Sequence, residues 1–293
     1  MKNLLFIYNP KAGKGSIGTH LGDIVEIFSE GGYKVTIYPT KCVGDGEIIA
    51  GQWGGEYDRI VCAGGDGTLD EVVTGMLLHG ISVPVGYLPT GSTNDFARSI
   101  GLPRTVRKAA RVAASDNYFK CDIGRFNSGY FVYVAAFGLF TDVPYETDQG
   151  MKNIFGYSAY VAEAVRRLPT IRSIPLRIKY DDDVITDDFL VGIITNSESV
   201  AGMKSLPGPD VELNDGLFEV MLVRSPDNIR DFNLIAPAIL DRRIRSENVI
   251  RFKCRNITIE SDEPIPWNLD GEFGGMSDRT EIENLREAME FVI

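Results

Sequence analysis

Residues 59–77 read RIVCAGGDGTLDEVVTGML. Arg59 to Ala63 is a short run of strand type, GGDGT (64–68) is a glycine-rich turn, and Leu69, Val72, Val73, Met76 and Leu77 recur at the spacing of one helix face. A strand that passes through such a turn straight into a helix is half of a βαβ unit, and these units build parallel sheets. The pattern repeats outward from this stretch. Upstream, Leu4 to Tyr8 predicts a first strand, Leu21, Ile24, Val25 and Phe28 a helix closed by Gly31-Gly32, and Val35 to Tyr38 a second strand. Downstream, Val83 to Leu88 predicts a fourth.

From about Asp122 the pattern changes. FVYVAAFG (131–138), PLRIKY (175–180), FLVGIITNS (189–197), LFEVMLV (217–223), VIRFK (249–253) and NITIES (256–261) are short strands separated by turn residues. They predict an antiparallel β domain, interrupted by amphipathic helices near Asn153 to Leu168 and Asn233 to Ile244. The expected organisation is α/β over 1–122 and antiparallel β over 123–293, and 293 residues suit two cores better than one.

Composition narrows the class. Apolar residues are 44% and charged ones 24% of the chain, which predicts a packed globular protein, and a formal charge of −11 argues against general affinity for nucleic acid. Cys42, Cys62, Cys121 and Cys254 lie far apart without a CxxC pair, so neither a zinc site nor a disulfide framework is expected, and a reducing cytoplasm fits. The five-residue apolar run in MKNLLFIYNPKAGKG is too short for a signal peptide core or a bilayer span.

Three turns, NPKAGKGS (9–16), GGDGT (64–68) and PTGSTNDFAR (89–98), each follow a predicted strand. That places them at the carboxyl edge of a parallel sheet, where α/β folds hold ligands. Glycine lets backbone amides approach an anion closely, and a following helix amino terminus adds aligned donors, so phosphate is the guest these turns suit. Thr68, Ser92 and Thr93 add hydroxyl donors, whereas Asp66 would repel phosphate unless a magnesium ion lies between them.

Other motifs fail. Gly13, Gly15 and Gly18 spell the dinucleotide fingerprint, but its ribose-binding acid is missing from Tyr38-Pro39-Thr40-Lys41. GxxxxGK[ST] is absent, and two histidines, His20 and His79, give no basis for a Ser-His-Asp triad.

NPKAG (9–13), GGDGTLDEV (64–72) and GSTNDFAR (91–98), continued by FGLFTDV (137–143), KNIFGYSAY (152–160), NDGLFEV (214–220) and LDGE (269–272), resemble the diacylglycerol kinase catalytic family and its bacterial soluble lipid kinases. The resemblance covers essentially the whole chain. It implies an N-terminal three-layer α/β domain related to those of phosphofructokinase and NAD kinase, and a C-terminal antiparallel β-sandwich. The cofactors it implies are ATP and Mg2+. Nucleotide contacts would fall on Asn9, Pro10, Lys11, Ala12, Gly13, Thr40, Gly64, Gly65, Asp66, Gly67, Thr68, Leu69, Asp70, Glu71, Gly91 and Ser92. Asp270 would be the general base, assisted by Asp66 through the metal network. A structural magnesium would sit on Asp215 with the carbonyls of Glu212 and Leu217. The implied reaction is phosphorylation of the free hydroxyl of diacylglycerol to phosphatidic acid. Another lipid alcohol such as phosphatidylglycerol or a sphingoid base, NAD as acceptor, and a non-catalytic nucleotide-binding regulator are the alternatives.

By residue chemistry alone, Asp270-Gly271 and Asp215-Gly216 read equally as hairpin turns. A lipid acceptor requires transient, peripheral contact with the membrane surface, and Arg242, Arg243, Arg245, Arg251, Lys253 and Arg255 serve either that contact or a solvated face. The apolar spacing of KNIFGYSAYVAEAV fits an acyl-chain cleft or plain core packing. A homodimer is left open. Some relatives continue back to the first domain after the strand pair EIENL and MEFVI, whereas this chain reaches Ile293 directly.

Overall fold

The computed structural model describes residues 1–138, 172–200, 202–204, 206–208 and 210–293. They group into two compact units, 1–123 with 286–293, and 124–285. The helix expected over Asn153 to Leu168, with most of FGLFTDV and all of KNIFGYSAY, lies outside the described residues.

In the first unit β1 (Lys2–Tyr8), β2 (Tyr33–Pro39), β3 (Arg59–Gly64) and β4 (Val85–Pro89) form a parallel sheet in the order β4-β3-β1-β2. Leu4 to Ile7 and Ile60 to Ala63 are all fully buried. Successive side chains of a strand face opposite ways, so unbroken burial requires cover on both faces. On one face α1 (Leu21–Glu30) and α5 (Val106–Ala113) supply Ile24, Phe28, Ala109 and Ala113 against Leu4, Phe6 and Val61. α2 (Asp45–Trp53) packs on α3 (Asp66–Leu78), and α3 on β3. The short α4 spans Asp95–Ser99. These are the three layers expected.

The second unit is antiparallel. It holds the last residues of β5 (Tyr118–Phe126), then β6 (Gly129–Phe131), β7 (Val134–Phe137), β8 (Ile174–Tyr180), β9 (Asp183–Thr195), β10 (Phe218–Arg224), β11 (Val249–Cys254), β12 (Asn256–Leu269) and most of β13 (Glu272–Val292). Both β9 and β12 pair with β8 through one half and with β7 through the other, so the ladder closes around Phe131, Phe137, Phe189, Phe218 and Trp267. The expected sandwich is present.

Three boundaries differ from expectation. The helix expected over Asn233 to Ile244 is α6, Ile229–Leu240, which ends earlier and also starts earlier, because Asn228 caps it by accepting the Asp231 N–H at 3.0 Å. The last eight residues, expected in the second domain, belong to the first unit. β13 is 21 residues long, and its end pairs in parallel with β4 at Phe291 and Val85. The final strand thus itself makes the return to the first domain.

Candidate active site

The three glycine-rich turns of the first unit meet. A Cβ on Gly13, whose φ is +56°, would lie 2.1 Å from the Thr90 carbonyl, and a Cβ on Gly91 would lie 2.5 Å from Gly65 Cα. Only glycine permits these approaches. Thr90 and Gly91 both donate backbone N–H groups to the Gly64 carbonyl, at 2.8 and 3.2 Å. Asn94, left-handed at φ +51°, closes the third turn by exchanging bonds with Gly91 at 2.9 and 2.8 Å. Asp66 begins α3, and its Oδ2 accepts the Asp95 N–H at 3.2 Å, tying the second turn to the third. Tyr87 donates its hydroxyl to the Gly64 carbonyl at 3.3 Å, and burial pushes that phenol well above its usual range, so it stays a donor. In the first turn, Asn9 Oδ1 accepts the Lys11 N–H at 2.9 Å.

The amino terminus of the 13-residue α3 opens at these turns, adding its dipole to the backbone donors. Next to them lies a cavity of about 370 Å³ lined by Gly13, Thr90, Ser92, Thr93, Arg98 and Arg104. The two arginines are absent from the residues expected on sequence grounds. Arg98 closes the quoted motif, but Arg104 lies in GLPRT, which carries no phosphate signature. A charge-assisted bond contributes about 1.5–3 kcal/mol, so Arg104→Ala should raise the KM for ATP by about 10-fold or more with an unchanged melting temperature. An unchanged KM in steady-state assays would remove Arg104 from the site.

Four of the expected nucleotide contacts have surroundings of their own. Leu69 is fully buried in the core and Thr68 is 8% exposed. Glu71 accepts the Gly44 and Gly46 N–H groups at 2.8 and 3.0 Å, capping α2. Thr40 lies where β2 ends, its N–H on the Tyr8 carbonyl at 2.9 Å.

In the second unit LDGE is a two-residue hairpin. Leu269 pairs with Glu272, and Asp270 and Gly271 have φ of +50° and +92°, the left-handed pair that such a turn demands. Asp270 is 4% exposed. Its carboxylate accepts three backbone amides, Val132 at 2.5 Å, Tyr133 at 3.0 Å and Val134 at 2.8 Å. Two carboxylate oxygens offer about four lone-pair positions and these amides take three, so the hairpin fixes the carboxylate in place while a position for a proton remains. Glu272, two residues on, is the exposed carboxylate of the same turn.

The turn expected to hold magnesium carries a different cation. Asp215 Oδ1 accepts the Leu217 N–H at 2.9 Å, and its Oδ2 lies 3.1 Å from Lys253 Nζ. Two cations on one carboxylate would stand roughly 5 Å apart, and at an effective dielectric of 20 a divalent ion would meet about 7 kcal/mol of repulsion from the ammonium. Glu212, Asp215 and Leu217 therefore do not fit a divalent ion while Lys253 is in place. Glu219 pairs with the same ammonium at 3.0 Å, yet burial pushes its carboxyl from 4.5 up to about 7. Below pH 4.5 both states are protonated and the contribution is complete; it is lost as pH rises through about 7. The loss is about 3 kcal/mol, and Glu219→Gln should flatten stability measured by urea unfolding across that window.

Glycine turns gathered at the carboxyl edge of a parallel sheet, followed in the chain by an antiparallel sandwich, are the organisation that the sequence resemblance implies. Residues 3–126 match the diacylglycerol kinase catalytic domain, and residues 135–287 match the YegS C-terminal NAD kinase beta sandwich-like domain. The diacylglycerol kinase of Bacillus subtilis (strain 168) is 34% identical over 279 residues, 94% of this chain and 91% of that protein. That of Staphylococcus haemolyticus (strain JCSC1435) is 35% identical over 270 residues, 92% and 82% of the two chains. The crystal structure of a diacylglycerol kinase from Bacillus anthracis str. Sterne superposes with a TM-score of 0.84 at 26% identity, covering 99% of this chain and 96% of that one. The chain belongs to the diacylglycerol kinase family, and it is a lipid kinase.

Proposed function

We propose that this chain transfers the γ-phosphoryl group of ATP to the free hydroxyl of diacylglycerol, giving phosphatidic acid and ADP. The observation that supports the phosphate half of this reading is the packing of Gly13 on Thr90 and of Gly91 on Gly65, which leaves backbone rather than side chains facing a triphosphate. Magnesium is taken to enter with ATP, neutralising phosphate charge. The acceptor oxygen attacks the γ-phosphorus, its proton passes to the Asp270 carboxylate, and the bond to the β–γ bridging oxygen breaks to release ADP. Arg98 and Arg104 face the charge that accumulates on the phosphoryl oxygens.

The acceptor resides in a bilayer, and no described helix is long and apolar enough to cross one. This reading therefore has the enzyme working from the cytoplasm, where ATP is available, with transient contact at the membrane surface. Of the six basic residues in 242–255, Arg251 donates to the Ala238 carbonyl, Lys253 is engaged by acids and Arg243 pairs with Asp241, while Arg242, Arg245 and Arg255 are exposed for such contact.

The test is transfer from γ-labelled ATP with micelles of diacylglycerol, phosphatidylglycerol or sphingosine, and with NAD. Label is expected in phosphatidic acid. Label on any other acceptor and none on diacylglycerol would overturn the assignment.

A further inference from the structure

Lys253 stands on β11 directly opposite Glu219 of β10 in the antiparallel register, so its direction is set by the ladder. Its ammonium enters a cluster of three oxygens: the Asp210 carbonyl at 2.9 Å, Asp215 Oδ2 at 3.1 Å and Glu219 Oε1 at 3.0 Å. Glu219 is itself nine-tenths buried, with a side chain 8% exposed. One carbonyl and two carboxylates are hard oxygen donors of the kind a divalent cation takes. Burying such carboxylates without a cation is costly, which makes the ammonium the counter-charge that the turn needs.

We propose that Lys253 is the tethered resident cation of the 210–219 turn, standing where a metal ion would otherwise be required, and that removing its ammonium opens a divalent-cation site formed by the Asp210 carbonyl, Asp215 and Glu219. The inference is independent of the acceptor lipid and of the catalytic base.

The test uses the full chain without nucleotide at pH 7.5, with Mn2+ binding read by electron paramagnetic resonance and melting followed in EDTA and in MgCl2. The wild type should bind no stoichiometric Mn2+ and melt at the same temperature in both solutions. Lys253→Met should melt about 5 °C or more lower in EDTA and recover in part with Mg2+. It should bind one Mn2+ per chain, and the double variant with Asp215→Asn should lose that ion. If Lys253→Met does not fold, Lys253→Gln carries the same comparison. One Mn2+ bound by the wild type and lost in Asp215→Asn would overturn the proposal, because lysine and metal would then coexist. Failure of the lysine variant to gain an ion would also overturn it. Phosphoryl transfer is not read in any arm, so neither result bears on the kinase assignment.

Discussion

Asparagine in place of Asp270 is expected to lower turnover by about 10²- to 10⁴-fold, the usual contribution of a positioned general base. The KM for ATP should stay close to the wild type. The left-handed Asp270-Gly271 turn reverses the chain within two residues, and the amides of Val132, Tyr133 and Val134 hold the carboxylate. The proposed base is thus fixed by backbone rather than carried on a loose loop. Single-turnover measurements separate the proton-transfer step from product release. A variant that keeps more than about a tenth of wild-type turnover would eliminate Asp270 as the base.

Asp270→Ala should lose stability as well as rate. It would strand the amides of Val132, Tyr133 and Val134 in a buried setting where the carboxylate now satisfies all three. At about 1–3 kcal/mol for each stranded donor, partly relieved by water, the expected destabilisation is about 3–5 kcal/mol. In a domain of this size that lowers the melting temperature by about 10 °C. Asp270→Asn keeps one acceptor oxygen and should fall between. Pairing calorimetry with kinetics separates the two effects, because turnover lost beyond what the melting shift explains belongs to the base. An Asp270→Asn protein that loses stability yet keeps wild-type turnover would confine Asp270 to a structural role.

The parallel sheet was legible because its central strands are buried on both faces, so LLFIY and IVCA stand out as unbroken apolar runs, with glycine turns marking where they end. Backbone binding leaves a similarly clear trace, since only glycine tolerates the contacts at Gly13 and Gly91. Side-chain roles left no such trace. Glu71 belongs to a phosphate motif by position, but its partners at Gly44 and Gly46 lie 27 and 25 residues away, a distance no local pattern reports. Asp-Gly signals a tight turn and a presented acid alike, and only the three amide bonds at 132–134 show that Asp270 points inward. Lys253 reads as one more cation in a basic run until strand pairing sets it against Glu219. The beginning of α6 was readable in principle, because Asn228 with Asp231 three residues on is a capping pattern that apolar spacing alone overlooks.

The passage of β13 from one unit into the other has a bearing on how the protein is made. Residues 286–293 complete the sheet that residues 1–123 begin, with 124–285 inserted between. On a ribosome adding about 5–20 residues per second, the first-born half must wait roughly ten to thirty seconds for its last strand. Until then the β4 flank is an open hydrogen-bonding margin in the nascent polypeptide, a natural target for holding chaperones. The unit translated first is thereby the unit that finishes last.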